Sequence, residues 1–135
     1  MTFSHVPRVL IVDDYPESAR VLAQLLRIFG FETVLAHDGA SAVSRATEFA
    51  PDAVVLVVIL PDIDGYEVAR QLRGREATRG ALIIALTGYP LDDSPRTRAD
   101  NPFDYHLGKP IAPSVLRDLL WNALTESAAS AASAR

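Results

Sequence analysis

The chain has 135 residues, 49% hydrophobic and 22% charged, enough for one domain with a core that needs no covalent staples. Thirteen basic against 17 acidic residues leave a charge of −4, which argues against direct gripping of a nucleic-acid backbone. The absence of cysteine excludes disulfides, thiolate zinc sites and cysteine nucleophiles.

The first apolar run, Val9-Leu10-Ile11-Val12, lacks alternation and so predicts a strand covered on both faces. Leu22, Leu25, Leu26 and Phe29 then recur at helical spacing, with Gly30 as the stop. A weaker strand fits Glu32–Ala36, and a helix fits Ala40–Phe49, closed by Pro51. The apolar run Ala53–Leu60 predicts the third strand and is too short to span a bilayer. A helix over Asp64–Gly74 and a strand within Ala81–Leu86 follow. Ser94 as cap and Pro95 at the first helical position open a short fourth helix that ends at Asn101-Pro102. A weak strand over Asp104–Leu107 and a helix over Pro113–Leu124 complete the pattern. Residues 1–7 form a lead without a basic or apolar signal segment, so a cytoplasmic protein is expected. Residues 125–135 form an Ala/Ser-rich tail that reads as a frayed helix extension or a disordered end, with disorder the preferred reading.

Five alternating strand–helix units predict an α/β, doubly wound, five-stranded parallel sheet. Ligands of such sheets bind beyond the carboxyl ends of the strands. Asp13-Asp14 follows the first strand, and a hard cation such as magnesium would relieve the repulsion between them. The competing reading makes Asp14 a cap for the next helix. Thr87 closes the fourth strand and Lys109 follows the fifth, a hydroxyl and an ammonium suited to a phosphoryl group. Asp62 and Asp64 follow the third strand, where Asp64 has the position of a helix cap and Asp62 that of a turn residue.

Val9–Asp14, Pro51–Gly65, Ala85–Tyr89 and Tyr105–Pro110 together resemble the receiver (CheY-like) domain of bacterial two-component response regulators, in order and in spacing. The likeness covers about Arg8 to Leu124. It implies a flavodoxin-like (βα)5 fold with strand order 2-1-3-4-5. Asp13 and Asp14 then fall on the family's magnesium-binding pair, joined by the backbone carbonyl of Ile59. Thr87 and Lys109 fall on the phosphoryl pocket, and His106 on the switch position. The family's reaction moves a phosphoryl group from a kinase phosphohistidine to a receiver aspartate, forming a mixed anhydride.

The residue aligned with that aspartate is Val57, which has neither a nucleophile nor a metal-ligating oxygen. The nearest acids, Asp52 and Asp62, lie five residues away on either side. Such a shift moves a side chain roughly 16 Å along a strand and reverses its face. Loss of a carboxylate should relieve repulsion of about 4 kcal/mol per pair at an effective dielectric near 20, and should weaken magnesium binding. The expectation is a stand-alone, phosphorylation-independent interaction module in a phosphorelay, with no catalytic residue. One alternative is an ordinary receiver in which Val57 replaces the acceptor by engineering or as an isolated variant. A more remote one is a magnesium-dependent phosphohydrolase. Expected partners are a histidine kinase or a downstream signalling protein, met through the helix 4–strand 5–helix 5 face. A homodimer is compatible with this reading, and no direct contact with nucleic acid or membrane is expected. At His106 a packed ring with a satisfied hydrogen bond is preferred to a pH sensor.

Overall fold

The structure is a computed structural model that describes residues 6–57, 60, 62–87, 102–108 and 111–133, with the last eight as backbone only. The short helix expected over residues 94–101 lies outside the described residues, as do Ile59 and Lys109.

Strands β1 (Arg8–Val12), β2 (Glu32–Ala36), β3 (Ala53–Val57), β4 (Leu82–Thr87) and β5 (Tyr105–Gly108) alternate with helices α1 (Pro16–Ile28), α2 (Gly39–Phe49) and α3 (Gly65–Arg73). Helix α4 (Pro113–Ser133) follows β5. All pairings are parallel, and the order is β2-β1-β3-β4-β5, as the resemblance implies.

Alternation along the buried strands divides the core into two layers, which is why their sequences read as continuous apolar runs. Leu10, Val12, Val54, Leu56, Ile83 and Ala85 face Val43 and Ala46 of α2 and Val68 and Leu72 of α3. Val9, Ile11, Val55, Ile84 and Leu86 face Ala19, Ala23 and Leu26 of α1 and Leu116 and Leu120 of α4. Val57 departs from the alternation. Strict period two would place it with Val55, yet it packs in the first layer with Leu60.

Helix ends follow local chemistry. Asp38 caps α2 by accepting from the Ser41 N–H at 2.7 Å, and Asp64 caps α3 by accepting from the Glu67 N–H at 2.9 Å. Gly30 takes φ +104° after α1, a backbone conformation that favours glycine, and a Cβ there would stand a tight 3.3 Å from the Trp121 ring. Trp121 in turn stacks on Phe31 at 4.6 Å, pinning α4 beside the start of β2.

The preferred reading of the tail and the competing reading of Asp14 both give way. The chain beyond Leu124 is helical to Ser133 rather than disordered. Alanine is the strongest helix former, so an Ala-rich segment can prolong a helix that packing has already nucleated. Asp14 does not cap α1: the cap position is Tyr15, which makes no side-chain capping bond, with Pro16 in the first turn.

Candidate functional site

The carboxyl edge of the sheet is assembled by strand register. Val12 pairs with Leu56, so Asp13 and Val57 are the next residues on neighbouring strands. Val57 pairs with Leu86, and Thr87 pairs with Gly108, after which the chain runs into Lys109. Asp13, Val57 and Thr87 thus occupy adjacent strand ends, about 5 Å apart per strand. The structure brings these three together; Ile59 and Lys109 fall outside the described residues.

Asp13 is only 6% exposed, a cost that its hydrogen bonds offset. Its N–H donates to the Ala36 carbonyl at 3.0 Å and its Oδ1 accepts from the Tyr15 N–H at 3.0 Å. Its own carbonyl accepts from Nδ1 of His37 at 2.9 Å. Asp14 is exposed to solvent. Asp13, Glu17 and Ser18 are the polar residues lining a largely apolar groove of about 710 Å³, walled by α1, Leu86 and the start of α4.

Val57 is 8% exposed and belongs to the apolar cluster with Val12, Leu56, Leu60 and Ala85. Among the described residues no three His, Asp or Glu side chains converge on a common metal position. The acidic pair alone still fits magnesium, which needs only one or two carboxylates and completes its shell with water. The pair fits the ion but gives it no third carboxylate.

Asp62 and Asp64 serve helices. Asp64 is the cap of α3, as its position predicted. Asp62 does more than turn the chain: its two oxygens accept from the N–H groups of Gly39 and Ala40 at 2.7 and 3.0 Å. Those two bonds hold its carboxyl below the usual carboxylate range. Ile63 closes the same contact, because a Cβ on Gly39 would collide with Ile63 Cγ1. Sequence reasoning missed this contact, since the partners are more than 20 residues apart; Gly39 beside the capping Asp38 was the available signal.

His106 is half-buried on β5, edge-on to Phe103 at 5.2 Å, and Phe103 meets Tyr66 edge-on at 5.1 Å. The ring is packed as expected, and its buried Nε2 has no hydrogen-bond partner among the described residues. Burial lowers its pKa from the ordinary 6.5, because a charged ring would lose hydration there.

Residues 9–120 match the response regulator receiver domain family. The chain belongs to that family. Curated relatives include the sensor protein GacS of Pseudomonas syringae, 32% identical over 90% of this chain and 14% of that protein. The DNA-binding response regulator MtrA of Mycolicibacterium smegmatis is 41% identical over 59% of this chain and 34% of that protein. This receiver thus spans about a third or less of the length of these relatives. A similar solved structure is the receiver domain of a sensor histidine kinase of Pseudomonas aeruginosa, with a magnesium ion coordinated in its active-site cleft. It is 30% identical, with a TM-score of 0.78, over 90% of this chain and 99% of that one. Fold and family together assign this receiver to two-component signalling, in which receiver domains meet histidine kinases and downstream signalling proteins. No helix among the described residues is long and apolar enough to cross a membrane.

Proposed function

We propose that this receiver works as a protein-interaction module that takes no phosphoryl group at the end of β3. The observation that carries the reading is Val57: where the family places its acceptor aspartate, the chain places an aliphatic side chain packed in the core. A carbon-only side chain cannot form the acyl phosphate, and Asp52 and Asp62 are engaged elsewhere, on the Arg8 N–H and on α2.

Asp13 and Asp14 remain as the residues that would hold magnesium, more weakly than a site with a third carboxylate. When bound, the ion would neutralise the acidic pair and offer its water shell to an oxyanion. Asp13 contributes a carboxylate already oriented by the Tyr15 N–H, and Asp14 one in contact with solvent. Thr87 and Lys109 keep the pocket's hydroxyl and ammonium in the sequence, and His106 fills the switch position. Partner contact through the face around β5 and the C-terminal helix then runs without a phosphoryl-driven change. Exposed Tyr105 and Val115 supply apolar area on that side.

The reading is tested by incubating the native chain and a Val57→Asp variant with a small acyl phosphate and magnesium, then measuring intact mass. The native chain is expected to stay unmodified, while the variant gains one hydroxylamine-labile phosphoryl group. A native chain that acquires such a group overturns the proposal.

A further inference from the structure

The loops that follow β1, β2 and β3 are laced together by side-chain-to-backbone bonds outside the pocket the family resemblance describes. After β2, Ala36 accepts from the Asp13 N–H, and the next residue, His37, reaches the Asp13 carbonyl. A carbonyl oxygen only accepts, so Nδ1 of His37 is the donor in this 2.9 Å bond. Both sides of Asp13 are therefore tied to consecutive residues of one turn. That turn is itself rigid: Asp38 caps α2 through Ser41, and Asp62 grips the N–H groups of Gly39 and Ala40.

The peptide bond supplies the consequence. It is planar, so fixing the carbonyl of Asp13 also fixes the N–H and Cα of Asp14. Asp14 is exposed, and among the described residues no cation pairs with its carboxylate to orient it. We propose that His37 is a positioning residue for the acidic pair: its hydrogen bond sets the Asp13–Asp14 peptide plane and hence where the second carboxylate is presented to a divalent cation. This rests on the reading of Asp13 and Asp14 as the magnesium ligands. Asp62 supports it from a distance by holding the α2 end from which His37 extends. His37 is exposed, so the bond contributes little burial and its removal should leave the core intact.

The experiment compares the full chain with His37→Ala and His37→Asn, in the native background and with Val57→Asp. Magnesium affinity is read by calorimetric titration, the Asp14 amide chemical shift by NMR, and stability by thermal unfolding. Asparagine carries an N–H donor near the place of Nδ1. His37→Ala is expected to weaken magnesium about tenfold and to move the Asp14 amide shift, while His37→Asn stays within about threefold of the parent, since outer-shell partners typically govern affinity on this scale. Thermal midpoints should coincide across the series. Unchanged magnesium affinity in His37→Ala, or equal losses in both variants, overturns the inference. If neither background binds magnesium, the ligand reading fails. The brace is then judged by the Asp14 amide shift alone, and an unchanged shift in His37→Ala refutes it.

Discussion

The two ends of the sheet treat their carboxylates in opposite ways. At the amino end, Asp104 accepts from the Ile83 N–H at 2.8 Å and pairs with Arg73 at 2.7 Å. Arg73 also donates to the carbonyls of Pro102, Arg79 and Ala81, and Asp52 accepts from the Arg8 N–H at 2.8 Å. Acids there staple strand starts together, next to cations that balance them. At the carboxyl end, Asp13 is buried with its backbone tied on both sides, Asp14 is exposed, and Val57 puts hydrocarbon between β1 and β4. The comparison separates acids that hold the fold from acids available to a ligand. It also shows that the neutral residue at β3 belongs to the core.

That division can be broken at several points. The largest expected effect is at Arg73: Arg73→Ala strands three carbonyls and the Asp104 carboxylate. Discounted for partial exposure, it should cost about 2–3 kcal/mol, read as a lower urea midpoint with an unchanged slope. Magnesium affinity should not move; a loss there would blur the two ends. Next comes Gly39→Ala, whose Cβ collides with Ile63. Displacing that packed side chain should cost about 1–2 kcal/mol by the same measurement.

Asp14→Asn should do the reverse, abolishing measurable magnesium binding while leaving stability unchanged or slightly higher in metal-free buffer, as like charges separate. A clear loss of stability would make Asp14 structural after all. The smallest effects are in pH dependence. Burial lowers the His106 pKa, so the unfolded chain binds its proton more readily, and stability falls as pH drops through the unfolded value of 6.5. Replacing His106 with Phe should flatten that limb of a stability–pH curve. Asp62 works at lower pH: its carboxyl is held down in the fold, so its contribution is present above the ordinary carboxylate value and disappears as pH falls through the folded one. The stability gap between the native chain and Asp62→Asn should therefore narrow in acid.

Sequence carried most of the fold because buried parallel strands have a local signature. Glu32–Ala36 is β2 to the residue, and the helix over Pro16–Ile28 stops just before Gly30. The site was legible where it depends on register, as with Asp13, Val57 and Thr87 at adjacent strand ends. It was illegible where a side chain spans separate elements. Asp62 reads locally as a turn residue, and only the fold reveals the α2 amides that it caps. His37 reads as an ordinary loop histidine until Asp13 is seen beside it. The end of α4 was misjudged because low complexity suggests disorder, whereas alanine favours the helix.

The central claim, that the carboxyl end no longer switches by phosphoryl transfer to β3, is tested most directly by the amide NMR spectrum of the native chain with magnesium, before and after a small acyl phosphate is added. The account predicts that the Val57, Thr87 and His106 amides keep their magnesium-bound shifts. A second set of resonances at those three positions, appearing with the phosphodonor and fading as it is consumed, would contradict it.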